Sequence, residues 1–545
     1  MSKNGRGRLT LFICLGIALI YFGGIWHRPL FAPEEIGCAL TAKEMMLSGK
    51  IFSPTLNGLP CIDNPPPYYW AVAGALKVFG ENTFALRFAS AFFTLLTAGV
   101  LYLFCFISGD RRRAVVSALL YLCCGTVFAG ASRVSPDSVP AFFTVVSLIA
   151  GYFFYMASTR ILRWHSLLIG AVFAVAGCFI SGPAGALAFV SVLALFGIAQ
   201  KKYLYCLAGT IGSAAVLLLP CGLFYLGKSH PNFVIQGFLP HCHYALSGMN
   251  ILWAVAGVLP VLFILPSGIV QVAKNGRKFF LSESYRLFSL VSLLVLFIIF
   301  VLLGNNSIAL ALPVFPFFAI LAADALLEAE KAGNIALSSK VLHIFCMVLG
   351  AVTVLFTLWH FLPAISYKWK LYTSGNIIPV VMISGLLLLW YSMAAKEKDT
   401  FPERKFLYFC IGTGVFLVSF SHIIPFKVLK NYDQTGFIQK AVLPHLRSGV
   451  EVFADGSLAP AAAWTLRRNA EISLDPGEFL PVLHRTGKTA LAPEILKKRI
   501  LSAVKSGRQA VVFTRSRKLL PEISLYRTTV RSGDITVVIY GELLK

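Results

Sequence analysis

The sequence predicts a polytopic α-helical membrane protein, with about thirteen transmembrane helices followed by a C-terminal α/β domain. The first observation behind this prediction is composition. Of the 545 residues, 57% are hydrophobic and only 13% are charged, whereas a soluble globular domain has roughly 25% charged residues. The second is a mean hydropathy of +0.75. A soluble enzyme, a disordered chain and a nucleic-acid-binding domain are therefore excluded as descriptions of the whole chain.

The predicted transmembrane helices are apolar runs of about 17–25 residues, the length that crosses a bilayer as a helix. Some of the runs are shorter than this. The thirteen runs are 9–26, 84–108, 114–131, 139–157, 166–180, 184–199, 206–226, 251–272, 287–303, 309–327, 341–363, 377–395 and 406–421.

Lys and Arg in the connecting loops predict the orientation, because cytoplasmic loops are enriched in both. With the N-terminus in the cytoplasm, the inside loops carry 17 Lys and Arg residues and the short outside loops carry four. The excess of 48 Lys and Arg over 24 Asp and Glu then faces anionic membrane lipids rather than nucleic acid. An odd number of spans places the C-terminus outside.

Two outside segments are too long to be simple connectors, and they divide the chain into a transmembrane domain, 1–420, and a polar tail, 421–545. The first outside loop, 27–83, contains five of the eleven carboxylates that precede Ala395. The tail predicts a small α/β domain. Its expected elements are strands at 451–454, 510–514 and 535–540, and a helix at 492–504.

Acidic side chains at a membrane boundary are costly to place and are therefore candidates for function. Glu34 and Glu35 directly follow the first span and begin an amphipathic stretch, and Asp137 lies at the outer end of the third span. Helix capping is the alternative role for all three, because a carboxylate at a helix N-terminus is stabilised by the helix dipole. Asp324, inside the tenth span, is interpreted as a structural residue.

Histidines and cysteines of the outside loops leave two further questions open. His241-Cys242-His243 could bind a divalent metal together with a loop carboxylate, because imidazole and carboxylate suit zinc or manganese. The alternative is that these histidines are solvated loop residues with no ligand. Cys38, Cys61 and Cys242 lie outside the membrane in this topology. A Cys38–Cys61 disulfide and three free thiols are both compatible with the sequence.

The stretch 33–70, PEEIGCALTAKEMMLSGKIFSPTLNGLPCIDNPPPYYW, carries a family motif. It resembles the first periplasmic loop of the bacterial aminoarabinose transferases that modify lipid A. These belong to the larger membrane glycosyltransferase superfamily that includes the dolichyl-phosphate-mannose protein mannosyltransferases. The family pattern runs Pro-Asp-Glu, Met-Leu-x-Ser-Gly, Pro-x-Leu-x-Gly, and Phe-Glu-Lys-Pro-Pro before Tyr-Trp. The counterparts here are Pro33-Glu34-Glu35, Met46-Leu47-Ser48-Gly49, Pro54-Thr55-Leu56-Asn57-Gly58, Asp63-Asn64-Pro65-Pro66 and Tyr69-Trp70.

The resemblance implies an inverting transfer of a sugar from an undecaprenyl-phosphate carrier to an acceptor such as lipid A, another envelope glycan or a protein. The protein would lie in the bacterial inner membrane, with a cytoplasmic N-terminus and a periplasmic tail. By carry-over, Glu34 is the lead catalytic carboxylate, Glu35 is its neighbour, and Asp137 matches an acidic residue of the second outer loop. Asp63 and His241 stand where the family binds a metal, which predicts a divalent ion (zinc, manganese or magnesium).

The departures from the family pattern concern cations that face the family's cavity. Four such positions are neutral here: Gly37, Asn64, Ser181 and Asn306. A charge-assisted contact to phosphate contributes about 1.5–3 kcal/mol, so three alternatives are open: other cations bind the donor, the donor differs, or the chain is a divergent and weak enzyme. The predicted substrate-binding residues are Lys43, Lys50, Asn64, Tyr69 and Arg133.

Three functional interpretations remain open from the sequence. The leading one is a lipid-carrier-dependent glycosyltransferase of unassigned sugar. The second is a catalytically silent relative that binds polyprenyl-phosphate lipid or a partner protein. The third is a transporter, which the acidic cluster at the outer surface disfavours, because transporters carry ionisable residues near the bilayer midplane.

Overall fold

A computed structural model describes residues 34–61, 66–181, 184–226, 261–303, 311–334, 433–473, 490–515, 527–532 and 534–541, with short stretches and single positions between them. The predicted spans 341–363, 377–395 and 406–421 fall almost entirely outside the described residues, as does the predicted domain boundary at 421.

The predicted first outside segment folds into two helices around a short hairpin. Its elements are α1 (Glu34–Ser48), β1 (Thr55–Leu56), β2 (Leu59–Pro60) and α2 (Pro66–Phe79). Helix α1 ends at Gly49, whose φ of 70° suits glycine and whose amide bonds the Met45 carbonyl at 3.0 Å. Asn57 and Gly58 turn the hairpin with φ of 55° and 71°, as a two-residue turn with positive φ requires.

The helices of the transmembrane domain follow the apolar runs. They are α3 (Thr83–Ser108), α4 (Arg111–Leu122), α5 (Gly125–Ala131), α6 (Ser138–Met156), α7 (Arg160–Ser181), α8 (Ala184–Ala199), α9 (Tyr203–Leu226), α10 (Pro266–Asn275), α11 (Arg277–Leu281), α12 (Ser284–Leu303) and α13 (Val314–Lys331). Within the described residues, α3, α6, α7 and α12 are long and apolar enough to span a membrane, and the α4–α5 pair makes five if it counts as one span.

Two predicted spans are broken in the structure. The run 114–131 bends by 68° between α4 and α5. Cys124 is extended there, and the Gly125 amide donates to the Leu259 carbonyl at 2.9 Å, so a neighbouring segment satisfies the broken backbone. The described end of the run 251–272 is a 3₁₀ turn, Val261–Ile264, followed by α10, which Pro266 begins.

The helix bundle is held together by aromatic side chains from four helices. Phe104 of α3 lies edge-on to Tyr152 of α6, with ring centroids 5.2 Å apart. Phe288 of α12 lies 5.2 Å from both Tyr152 and Phe196 of α8. Such pairs stabilise a core by about 0.5–1.5 kcal/mol beyond their buried area.

A buried network of charges joins α4, α12 and α13. Asp324 of α13 accepts hydrogen bonds from Tyr285 Oη at 2.7 Å and Arg286 Nε at 2.8 Å, and it also pairs with Arg113. Arg286 pairs in addition with Glu328. Because Asp324 is fully buried with two cationic partners, it has the structural role that the sequence suggests.

The C-terminal tail contains a five-stranded sheet in the order β4-β3-β5-β7-β6. The strands are β3 (Glu451–Ala454), β4 (Glu471–Ile472), β5 (Ala510–Thr514), β6 (Arg527–Ser532) and β7 (Ile535–Tyr540). Strands β3, β4 and β5 are parallel, whereas β7 is antiparallel to β5 and β6. Two longer helices accompany it, α14 (Ala459–Leu466) and α15 (Pro493–Lys505), preceded by a short helical segment over 434–445.

One face of this sheet packs on α15 and the other on α14, which in turn packs on α1. Successive side chains of a strand point to opposite faces of the sheet. On one face, Val512 and Val538 share a core with Leu496 and Ile500 of α15. On the opposite face, side chains of β3, β5 and β7 share a core with Ile36, Ala39, Ala42 and Met45 of α1. The tail is therefore packed directly against the first outside segment.

Polar contacts reinforce this packing. The Asn57 side chain donates to the Ala470 carbonyl at 2.6 Å and accepts from the Ala470 amide at 2.7 Å. Lys43 of α1 pairs with Glu81 at 2.8 Å, and its ammonium lies 5.0 Å from the Trp464 ring centroid of the tail. These contacts bring residues from opposite ends of the chain together.

Candidate active site

Glu34 and Glu35 are adjacent in the sequence but lie in opposite environments at the start of α1. Glu34 is exposed, whereas Glu35 is 3% exposed. Because successive helical residues point about 100° apart, one carboxylate of the pair faces solvent and the other faces the protein. The two carboxylates are therefore open to different partners, solvent and ligands for Glu34 and protein groups for Glu35.

Glu35 connects three parts of the structure. Its Oε2 accepts from Arg87 Nη2 of α3 and from the Phe31 amide, both at 2.8 Å. Its Oε1 accepts from the Val134 amide at 3.0 Å, in the loop between α5 and α6. Arg87 is fully buried and also donates to the Ile25 carbonyl at 3.2 Å. The bond to the Phe31 amide is a capping contact, as the alternative from the sequence suggests, but the buried ion pair is the larger feature.

The α5–α6 loop brings Asp137 close to Glu34. The loop is fixed by the bond from Val134 to Glu35 and by Ser90 Oγ of α3, which donates to the Ser135 carbonyl at 3.1 Å. Asp137 occupies the position before α6, yet its side chain makes no capping hydrogen bond. Helix capping is therefore not the role of the Asp137 side chain. Its Oδ2 accepts a hydrogen bond from Ser135 Oγ at 2.8 Å instead.

The pKa of Asp137 is raised from its ordinary value of 3.8 to about 6. Burial is the main cause, because a low dielectric disfavours the charged carboxylate. The hydrogen bond from Ser135 and the charge of Arg133 oppose the rise, and the charge of Glu34 adds to it. Asp137 and Glu34 are thus close enough to interact electrostatically.

Tyr68 and Cys38 line the same acidic site. Burial raises the pKa of Tyr68 well above its usual range, and Cys38, Asp137 and Glu35 add to the rise. Burial likewise raises the pKa of the Cys38 thiol, followed by the effects of Cys61, Asp137, Glu34 and Glu35. Both groups are neutral at physiological pH, so the wall beside the carboxylates carries no negative charge of its own.

The cations predicted to bind substrate are distributed unevenly. Arg133 is half-buried, and its charge acts on Asp137. Lys43 is buried and already paired with Glu81 in the contact with the tail, so its charge is balanced within the protein. Lys50 is exposed just after α1. Arg133 is therefore the predicted cation that the structure brings to the acidic pair, which is Glu34 and Asp137.

The remaining predicted residues are either buried or not described. Tyr69 is 1% exposed, and its hydroxyl lies 3.8 Å from Cys61 Sγ. Cys38 and Cys61 are both free thiols, which favours the free-thiol alternative for this pair. Asp63, Asn64, His241 and Cys242 lie outside the described residues.

A metal site is not formed by the residues that the structure describes. Among them, no group of three His, Cys, Asp or Glu side chains is arranged to hold an ion. Since Asp63 and His241, the predicted ligands, lie outside the described part, the divalent metal stays a prediction.

Gly37 occupies open space beside the two glutamates. A Cβ built at this position meets no atom within 4 Å, so the structure has room where the resembled family has an arginine. The neutral residue is therefore not imposed by crowding around Gly37.

Sequence reasoning missed the roles of Arg87, Tyr68 and Cys38 in this site. Arg87 is the single charged residue in the apolar run 84–108, which is a signal for a buried partner. Tyr68 and Cys38 gave no comparable signal, because an aromatic residue or a cysteine in an apolar stretch is usually part of the core.

Comparisons with known proteins agree with this architecture. Residues 63–224 match the family model of dolichyl-phosphate-mannose-protein mannosyltransferases. An undecaprenyl phosphate-alpha-4-amino-4-deoxy-L-arabinose arabinosyl transferase of Enterobacter sp. (strain 638) is 25% identical over 491 residues, 86% of each chain. An uncharacterized protein of Aquifex aeolicus (strain VF5) is 25% identical over 415 residues, 73% of this chain and 77% of that protein.

The fold is also similar to a solved structure. The crystal structure of ArnT from Cupriavidus metallidurans in the apo state superimposes with a TM-score of 0.76, covering 98% of both chains at 18% identity. The same protein bound to undecaprenyl phosphate gives a TM-score of 0.74 at 17% identity, again over 98% of both chains.

The fold and the matches define the protein as a polytopic helical membrane glycosyltransferase. Within that class, the chain is similar to the aminoarabinose transferases over most of its length, and residues 63–224 are similar to the dolichyl-phosphate-mannose-protein mannosyltransferases.

Proposed function

We propose that the protein transfers a sugar from undecaprenyl phosphate to an acceptor in the outer leaflet of the inner membrane, such as lipid A, with inversion at the anomeric carbon. The observation that carries this proposal is the pairing of exposed Glu34 with Asp137, whose pKa is about 6. The relative from Enterobacter is named for an undecaprenyl-phosphate-linked aminoarabinose donor, and ArnT binds undecaprenyl phosphate. The identity of the sugar here is left open by the neutral residues at the family's cationic positions.

The position of the acidic pair, Glu34 and Asp137, suits a lipid-linked donor. Asp137 directly precedes α6, and the loop that holds it is bonded to Glu35 of α1 and to Ser90 of α3, which begins at Thr83. Helices α3 and α6 are both long enough to cross the membrane. The site therefore lies at one membrane face, where a polyprenyl chain remains in the bilayer while its phosphate and sugar reach the carboxylates.

The chemistry that this arrangement supports is displacement assisted by a carboxylate. Glu34 takes the proton of the acceptor hydroxyl as that oxygen bonds to the anomeric carbon. The bond between this carbon and the carrier phosphate breaks, and undecaprenyl phosphate leaves with the electron pair. Attack from the side opposite the leaving group inverts the configuration.

Asp137 and Arg133 have supporting roles in this scheme. Asp137 accepts a hydrogen bond from the acceptor and orients it, for which a fixed carboxylate is suited because proximity lowers the barrier. Arg133 stabilises the departing phosphate by its charge. Glu35 holds both the start of α1 and the α5–α6 loop in place.

Three finer features belong to the same proposal. They are thirteen spans, a cytoplasmic N-terminus and a periplasmic C-terminal α/β domain. The excess of Lys and Arg in alternate loops supports the orientation, and the likeness in fold to ArnT over 98% of both chains supports the domain arrangement. If a divalent metal is bound, it would supply charge stabilisation to the leaving phosphate.

The decisive experiment is Glu34→Gln, which keeps the side-chain volume and removes the charge. Transfer from undecaprenyl-phosphate-linked sugar to an envelope acceptor fraction should fall by about 10²–10⁴-fold, the usual contribution of general acid–base catalysis. The matched control is Glu283→Gln, because Glu283 is also an exposed carboxylate but lies at the start of α12. Unchanged transfer by Glu34→Gln, with donor and acceptor verified on wild-type protein, would contradict the proposal.

A further inference from the structure

A second charged surface lies at the end of the helix bundle opposite the acidic site. Helix α6 begins beside Asp137 and runs 19 residues to Met156, about 28 Å at 1.5 Å per residue. The turns at this far end carry four cations, Arg160, Arg163, Lys201 and Lys202, which we name the basic turn cluster. The distance along α6 is close to the thickness of a bilayer core, so the cluster lies at the other membrane face.

The two inner members of the basic turn cluster are held in place by the backbone. Arg163 Nε donates to the Ala157 carbonyl and Lys202 Nζ donates to the Tyr155 carbonyl, both at 2.8 Å. The Arg163 guanidinium also lies over the Tyr205 ring, 4.8 Å from its centroid. These partners orient the cations but carry no net charge, so the positive charge of the cluster is not balanced.

Carboxylates are absent from the sequence around the basic turn cluster. No Asp or Glu occurs between Asp137 and Glu283. Glu283 is exposed, and its charge acts on the hydroxyl of Tyr152 in α6. Within the described residues, neither Glu283 nor any other carboxylate forms an ion pair with the four cations.

The uncompensated charges also act on each other within the basic turn cluster. Burial lowers the pKa of Lys202, and the charge of Arg163 lowers it further. The Asp324 network behaves differently, since there each buried cation faces a carboxylate. An anion from outside the protein would relieve the repulsion at Lys202 and Arg163.

The surface around the basic turn cluster is apolar and aromatic. Large side chains remain exposed on both turns: Ile161 71%, Trp164 42%, Tyr203 62% and Leu204 84%. Aromatic rings beside cations are typical of the membrane interface, where the ring meets the headgroup layer and the cation meets phosphate. A free phosphate ion would gain nothing from this apolar rim, whereas a lipid would cover it with its acyl chains.

We propose that the basic turn cluster binds the phosphate of an anionic phospholipid headgroup in the membrane leaflet opposite the acidic site. This binding is independent of glycosyl transfer. Arg163 and Lys202 contact the phosphate from beneath, and Arg160 and Lys201 flank it from the exposed side.

The test is native mass spectrometry of the full-length protein in mild detergent, titrated with phosphatidylglycerol or with phosphatidylcholine. The test variant is Arg160→Gln/Lys201→Gln, because both residues are exposed and the backbone bonds of Arg163 and Lys202 are left intact. Each basic residue near a lipid surface contributes about 1 kcal/mol, so the affinity for phosphatidylglycerol should fall by about thirtyfold. The matched control is Lys274→Gln/Lys331→Gln, which removes two exposed cations from α10 and α13.

The proposal expects a preference of wild-type protein for phosphatidylglycerol over phosphatidylcholine, lost in the test variant and kept in the control. Equal binding of the two lipids, or an equal loss in test and control variants, would overturn it. Displacement of phosphatidylglycerol by millimolar inorganic phosphate would also overturn it, because the site would then be one for free anions.

Discussion

Replacing Glu35 by Gln keeps the side-chain volume but removes the charge that faces Arg87. Arg87 is fully buried, and a buried cation that loses its partner destabilises a fold by about 3–5 kcal/mol. Glu35→Gln should therefore lower the melting temperature and reduce the yield of folded protein in detergent.

The comparison that separates the two glutamates is Glu34→Gln, which should melt like wild-type protein while losing transfer. Size-exclusion chromatography and thermal melting measure the first effect, and the transfer assay measures the second. Equal melting temperatures for Glu35→Gln and wild type would show that the Arg87 ion pair contributes little to stability.

The raised pKa of Asp137 predicts how the transfer activity depends on pH. Its pKa of about 6 lies above the usual range of a carboxyl group, so lowering the pH through 6 protonates it. If ionised Asp137 orients the acceptor, transfer should fall about tenfold for each pH unit below 6.

Arg133→Gln is the variant that tests this assignment. The charge of Arg133 lowers the pKa of Asp137, so its removal should raise that pKa and move the acid limb of kcat to higher pH. A loss of phosphate binding alone would raise KM and leave the midpoint where it is. An unmoved midpoint in Arg133→Gln would therefore assign the acid limb to another group.

At the residue scale, the sequence could name the acidic candidates but not the environment of each one. Glu34, Glu35 and Asp137 could be named because carboxylates at a membrane boundary are costly. The hydrogen bonds that hold Glu35 inside the protein come from Arg87 and Val134, which lie 52 and 99 residues away. Contacts of such long range leave no periodic signal in one sequence.

The hairpin between α1 and α2 contacts the tail together with α1. A Cβ at Gly58 would lie 2.5 Å from Asn469 Nδ2, and Gly58 has a φ of 71°. Gly58→Ala should therefore be strained both by its backbone conformation and by contact with the tail.

Gly49→Ala is the matched control for this prediction. Gly49 has a nearly identical φ of 70°, but a Cβ there meets nothing within 4 Å. Both variants carry the cost of a left-handed alanine, about 1 kcal/mol, and only Gly58→Ala disturbs the tail. Faster proteolysis of the tail in Gly58→Ala than in Gly49→Ala is the expected result, and equal rates would show that the Asn469 side chain simply moves away.

At the element scale, periodicity and apolar length predicted most of the described helices and the main strands of the tail. The helix expected at 492–504 is observed at Pro493–Lys505, and the three expected strands are observed with the same bounds. Strand β4 was missed because two residues are too few to form a pattern. Strand β6 was missed because all of its side chains except Val530 are polar. The break at Cys124 was missed since its hydrogen-bond partner, Leu259, is remote.

At the scale of the whole molecule, the packing of the tail on α1 fixes which parts share a side of the membrane. The sheet of the tail and α1 share one core, so the tail lies on the same face as Glu34. Composition predicted a membrane protein, and the Lys and Arg residues of the loops predicted an outside tail, but neither contained information that the tail covers the segment bearing Glu34.

Cysteine labelling in intact cells tests this arrangement together with the orientation. Ile495 of the tail and Phe52 of the first outside segment are both exposed, at 50% and 72%. Ile495→Cys and Phe52→Cys should react with a membrane-impermeant maleimide from the periplasm, above the background of the wild-type cysteines. Lys331→Cys, at the end of α13 where the Asp324 network lies, should react only after the cells are lysed. Because the shared core ties the tail to α1, labelling of only one of Ile495→Cys and Phe52→Cys would contradict the fold, whereas labelling of Lys331→Cys alone would reverse the orientation and leave the fold intact.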